Sequence, residues 1–238
     1  MENKNENKTY DLKVEKTIAK TPSEVFRAIG EGRLFLNCGA DQASMKIDFK
    51  VGGKYAIHFH SHGAKNGGEF LEIIPHQKIV FTWCQGFEAD AKPDTTVSIE
   101  LKDLGGKTAL TLVHSGFSDI ENKDNHQGGW TSGLNDVTEE ITNGRLRMVR
   151  KISMGIEKAF AAFQSPKSNL AIHGKTLETV PNKKIVLSLE PETKLTLLFD
   201  TDDDDTHISW LEIIHEGLKT EAEQKSYRAK WDALLKGA

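Results

Sequence analysis

Histidine and tryptophan supply most of the side chains whose chemistry and spacing are informative in this chain. His58, His60 and His62 form a His-x-His-x-His run. Alternate residues on a strand share a face, so two of these rings could hold one metal ion. That face lies opposite Tyr55, Ile57 and Phe59, and no third ligand stands at a defined spacing. A solvated outer face is the simpler account of the run, and no metal is expected. His114 differs, because alternation puts it on the face of Leu110 and Leu112. There an imidazole could hydrogen-bond a ligand or exchange a proton near neutral pH. A ring that only bonds backbone at the mouth of the next loop would occupy the same position. No nucleophile or carboxylate can be paired with it. Trp83 and Trp130 offer flat faces for stacking and Tyr55 a hydroxyl on the same wall. Packing against one another is the competing reading.

Two near-motifs fail on inspection. Gly105-Gly106-Lys107-Thr108 resembles the end of a phosphate-binding loop, but Leu101 stands where the leading glycine belongs and a strand follows. Asp200 to Asp205 resembles a calcium loop, yet Asp205 replaces the required glycine and Leu211 the bidentate glutamate. No cofactor is implied.

The elements that must position these residues are legible by periodicity. Leu12 to Ala19 alternates as a strand. Thr21-Pro22-Ser23-Glu24 then opens a helix with Val25, Phe26 and Ile29 on one stripe. A second short helix is expected over Glu31 to Leu36. Strands follow at Met45–Val51, Lys54–Ser61, Phe70–Ile74, Lys78–Cys84, Val97–Leu101 and Leu110–His114, separated by glycine- or proline-containing turns. Trp130, Leu134, Val137 and Ile141 recur at helical spacing. A meander of six or seven strands with one closing helix predicts an α+β fold whose sheet curves around that helix. The hollow between them would be lined by Tyr55, Phe59, Trp83, Trp130 and neighbouring aliphatic residues.

Composition narrows the function classes. The 31 basic and 35 acidic side chains of 238 residues leave a net charge of −4, whereas a nucleic-acid binder carries a basic excess. No apolar run approaches the ~18 residues of a membrane span, and the polar opening MENKNENKTYDLK lacks the apolar middle of a signal peptide. Two cysteines, Cys38 and Cys84, are too few for a disulfide framework, which favours a cytoplasmic setting.

The chain also resembles itself. Leu12–Ile29 aligns with Leu146–Phe163, Gly68–Val80 with Gly174–Val186, and Leu110–Phe117 with Leu211–Leu218. Trp130 and Trp231 fall at the same distance after His114 and His215. A tandem duplication is therefore expected: a disordered tail over 1–11, a complete copy over 12–144 and a shortened copy over 145–238. The second copy has only Gln164 to His173 where the first has Gly30 to Gly67. Its shortened sheet would leave strand edges and apolar surface uncovered, to be packed on the first copy or on another subunit.

In order along the first copy stand Pro-x-x-Val-Phe-x-Ala, Val-Gly-Gly-Lys-Tyr, Gly-x-x-x-x-Ile-x-Pro-x-x-x-Ile-Val-x-Thr-Trp, Thr-x-Leu-x-Leu-x-His-x-Gly-Phe and Gly-Gly-Trp-x-x-x-Leu. This set resembles the C-terminal-type domain of the heat-shock-protein-90 ATPase activators, within the START-like, birch-allergen-like (SRPBCC) helix-grip superfamily. The resemblance implies a helix-grip fold with a hydrophobic pocket, in a superfamily of lipid, sterol, polyketide and hormone carriers with a minority of cyclases and hydrolases. The expected function is non-enzymatic binding of a small hydrophobic molecule by Tyr55, Phe59, Trp83, His114 and Trp130. The alternatives are a cyclase- or hydrolase-like enzyme using His114, and a chaperone- or protein-interaction module; the partners expected are a small hydrophobic molecule and, beside it, a protein partner or homodimer.

Overall fold

A computed structural model describes residues 9–37, 40, 45–59, 65–85, 95–189, 192–202 and 205–236. The chain opens on strand β1 (Tyr10–Ile18), which begins inside the segment expected as a tail. Helix α1 (Pro22–Gly30) follows. Its start is fixed by a capping box: the Thr21 hydroxyl accepts from the Glu24 backbone N–H, and the Glu24 carboxylate accepts from the Thr21 N–H. Pro22 sits at the head of the helix, where its missing N–H costs nothing. Helix α2 (Arg33–Asn37) is a single short turn that buries Leu34, Phe35 and Leu36.

Six more strands complete the first sheet: β2 (Lys46–Ile47), β3 (Lys54–His58), β4 (Lys65–Ile74), β5 (Lys78–Gln85), β6 (Thr95–Asp103) and β7 (Thr108–Phe117). All neighbours are antiparallel, in the order β1-β7-β6-β5-β4-β3-β2. The meander is the simplest solution for hairpin-linked strands, and β1 closes it by pairing with β7. Burial alternates along β6 and most of β7, so one face holds Val97, Ile99, Leu110, Leu112 and His114 while Glu100 and Lys102 point outward. Helix α3 (Ile120–Asn143) supplies the cover, burying Trp130, Leu134 and Val137. The expected α+β helix-grip architecture is what the chain adopts.

The chain divides into two compact units, with the main division after Val137, within α3. The second unit carries β8 (Leu146–Ile152), α4 (Ile156–Gln164), β9 (Lys175–Val180), β10 (Lys184–Leu189), β11 (Thr193–Thr201), β12 (Ser209–Glu216) and α5 (Glu221–Leu235). Its five strands run in the order β8-β12-β11-β10-β9. This is the order of elements in the first unit with α2, β2 and β3 omitted. Register agrees as well: His114 stands opposite Leu12 and Val97, and His215 opposite Leu146 and Leu195. The second unit has a core of its own, built on Leu146, Phe160, Phe163, Leu197, Ile213 and Trp231. Every residue of its edge strand β9 is exposed. Among the described residues, no helix is long and apolar enough to cross a membrane.

Candidate functional site

The site residues of the first unit meet on the covered face of its sheet. His114, from β7, has no exposed surface. The Trp130 indole N–H donates to its Nδ1 at 3.0 Å, which leaves the ring proton on Nε2. That N–H reaches the Thr95 hydroxyl at 2.7 Å, and the hydroxyl donates onward to the Trp83 carbonyl at 3.3 Å. Helix α3, β7, β6 and β5 are thus joined by one directed chain of hydrogen bonds. Burial, and secondarily the nearby His126 ring, push the His114 pKa down to about 3. The imidazole is neutral at physiological pH and both its nitrogens are engaged.

Around this chain lies an aromatic cluster. The Trp83 ring is 5.1 Å from Trp130, 5.9 Å from His114, 6.3 Å from Phe59 and 6.4 Å from Tyr55, centroid to centroid. Phe35, from α2, stands between them. It stacks nearly parallel on Tyr55 at 5.6 Å and lies 6.2 Å from Trp83 and 6.5 Å from Trp130. The sequence places Tyr55 and Trp130 across one hollow; the space between them is filled by Phe35. The Tyr55 hydroxyl donates to the Thr82 carbonyl at 2.7 Å, and burial raises its pKa well above the ordinary tyrosine value. Gly68 makes that contact possible, since a Cβ there would lie 2.0 Å from the same carbonyl oxygen.

Among the described residues, two polar atoms in this interior have no hydrogen-bond partner. The Trp83 indole Nε1 and the Asn66 Oδ1 are both buried and unbonded, on residues only 5% and 6% exposed. A buried polar group without a partner costs about 1–3 kcal/mol, and native interiors contain few.

All five residues expected at the site, Tyr55, Phe59, Trp83, His114 and Trp130, are buried, and ring contacts link them. Phe35, Thr95, His126 and Asn66 are additional members that periodicity alone does not pick out. Of the histidine run, His58 is half-buried, and His60 and His62 lie outside the described residues. Among the described residues no group of three His, Cys, Asp or Glu side chains is placed to hold a metal.

The second unit repeats part of the arrangement. His215 is buried, its Nε2 lies 3.0 Å from the Thr193 hydroxyl and its ring packs on Tyr227 at 4.3 Å. Its Nδ1, unlike that of His114, meets no indole and has no partner. Burial first, and Lys230 second, lower its pKa to about 4.

Residues 19–141, just over half of the chain, match the model of the activator of Hsp90 ATPase homolog 1-like proteins. The chain belongs to that family. No curated protein matches it in sequence. Similar folds occur among solved structures. An HSP90 activator from Plasmodium falciparum is 23% identical over 55% of this chain and 94% of its own, with a TM-score of 0.43. The Aha1 dimer from Colwellia psychrerythraea is 13% identical over 55% and 95%, with a TM-score of 0.47. DynU16, from the dynemicin biosynthetic locus, is 13% identical over 95% and 96%, with a TM-score of 0.46.

Proposed function

We propose that the first unit of this activator-like protein is a non-enzymatic carrier. It holds one small hydrophobic molecule against Trp83 and Phe59, with Tyr55, His114 and Trp130 as the frame behind them. The observation that carries this reading is the Trp83 indole N–H, buried in an aromatic wall with nothing to donate to. An acceptor on a bound molecule would satisfy it. Enclosing the molecule's apolar body would add about 25 cal/mol per Å² of apolar surface removed from water. The engagement of both His114 nitrogens speaks against acid–base chemistry there, because a ring already donating and accepting has no free position for a substrate. We also infer, from the shared element order and register, that the second unit is a shortened copy with a structural or interaction role.

The test is a titration of the full-length protein with the neutral fluorescent probe 1-aminoanthracene. Saturable binding at one site per chain is expected, weakened about tenfold or more by Trp83→Ala and little changed by His114→Gln where that variant folds. An emission that rises linearly without saturation sinks the carrier reading.

A second reading, a protein-interaction module, is favoured by Phe35 filling the space between Tyr55 and Trp130 and by the exposed strand β9. Strand addition to such an edge is a recurring mode of protein recognition. It predicts no saturable probe binding, together with association that Thr179→Pro in β9 abolishes.

A further inference from the structure

The unpartnered acceptor of Asn66 and the unpartnered donor of Trp83 are carried on one face of the sheet. In the β4–β5 pairing Asn66 stands opposite Gln85, and Trp83 is two residues away on β5. Trp83 and Asn66 are therefore diagonal neighbours on one face of the sheet, a separation within reach of long and aromatic side chains. Across β3, Asn66 stands opposite Ile57, which is 2% exposed. Phe70, on the same face of β4, packs against Tyr55 and Phe81. Both residues thus have apolar neighbours on that face, and their orphan atoms are of opposite kind: one N–H and one C=O.

From this pairing we propose that the Trp83–Asn66 corner is a subsite for a neutral hydroxyl group carried on an apolar body, that is, a phenol or an alcohol. A hydroxyl is the smallest group that accepts from the indole N–H and donates to the amide oxygen at once. A ketone satisfies only Trp83, an alkyl group neither. A carboxylate would place a second acceptor against Asn66 Oδ1 and bury a charge among rings that are all neutral. The inference rests on the carrier reading and specifies its ligand.

Three ligands of one shape separate the cases: 2-naphthol, naphthalene and 2-naphthoate, each titrated into the full-length protein by displacement of 1-aminoanthracene. 2-Naphthol is expected to bind at least fivefold tighter than either of the others, and Asn66→Leu is expected to erase its advantage over naphthalene while naphthalene itself still binds. Equal affinities for naphthol and naphthalene, tighter binding of naphthoate, or failure of all three to displace a bound probe each overturn the subsite and leave the carrier. Failure of the probe itself to bind overturns the carrier reading and the subsite with it. A ligand-free measurement stands beside these. If Asn66 Oδ1 is unsatisfied until a ligand arrives, Asn66→Leu raises the melting temperature of the empty protein by about 2–4 °C. An unchanged or lower melting temperature shows that Asn66 is satisfied within the fold, and the subsite is withdrawn.

Discussion

Phe35 decides how much of the interior is open, although it comes from a helix of only five residues. Its ring touches Tyr55, Phe81, Trp83 and Trp130 and is 2% exposed. Removing it leaves a void that the surrounding rings, already in contact, are poorly placed to close. Phe35→Ala is therefore expected to lower unfolding free energy by about 3–5 kcal/mol, read from urea denaturation. A midpoint equal to that of the unaltered protein would place the ring outside the core. Residue-level legibility divides along the same line. Tyr55, Phe59, Trp83 and His114 follow from alternation along the sequence, and Trp130 from helical spacing, because the surrounding residues are enough to show a period, although β3 itself stops at His58, one residue before Phe59. Phe35 does not, since one turn of helix has no stripe to read. Nor can sequence tell that the Trp83 N–H lacks an acceptor while that of Trp130 has one, because this depends on where each ring points. Thr95 is hidden for a related reason: its role needs β6 and β7 in register, a pairing that tertiary structure sets.

Among the elements, β4 shows where reading by pattern stops. Alternation starts the strand at Phe70, whereas it begins at Lys65, because Asn66-Gly67-Gly68 has the composition of a turn. Here the glycine serves close approach. The Thr82 carbonyl occupies the place of a Gly68 side chain and accepts the Tyr55 hydroxyl, while the Thr82 hydroxyl accepts from the Glu69 N–H. Gly68→Ala must push β4 from β5 or turn that carbonyl, since backbone rather than a flexible side chain meets the added methyl. It should cost about 2–4 kcal/mol, against about 1 kcal/mol for Tyr55→Phe, which loses only one hydrogen bond. Chemical denaturation of the two variants gives the comparison, and equal small losses would mean that the strands yield freely. The opposite error occurs at β2, expected over Met45–Val51 and reduced to Lys46–Ile47. The following residues form the turn in which Gly53 lies against the Asp48 carbonyl. Element types and their order were thus readable from period and turn residues, while their ends were set by contacts between strands.

For the molecule as a whole, each unit buries one neutral imidazole, and this ties its stability to pH. In the unfolded chain both histidines titrate near the ordinary value of 6.5, whereas in the fold His114 is lowered to about 3 and His215 to about 4. Between those limits the unfolded chain binds protons that the folded protein does not, so stability rises with pH. The contribution is complete above about pH 6.5. It falls as pH drops, through about 4 for His215 and about 3 for His114. At 1.36 kcal/mol per pH unit, each ring accounts for a loss of about 2 kcal/mol between pH 6.5 and 5. Glu24, whose carboxyl is held below the ordinary glutamate value of 4.5 chiefly by the Thr21 backbone N–H, loses its contribution only at lower pH. The interval from pH 7 to 5 therefore isolates the two imidazoles from the capping carboxylate. Urea denaturation across that interval should show a combined fall of about 4 kcal/mol where both units unfold together, and His114→Gln should remove about half of the slope while lowering stability at pH 7, so that the two proteins converge as pH falls. Were stability flat from pH 7 to 5, the rings would have to be solvated in the folded protein, and the hydrogen-bond chain from Trp130 to Trp83 could not stand as described.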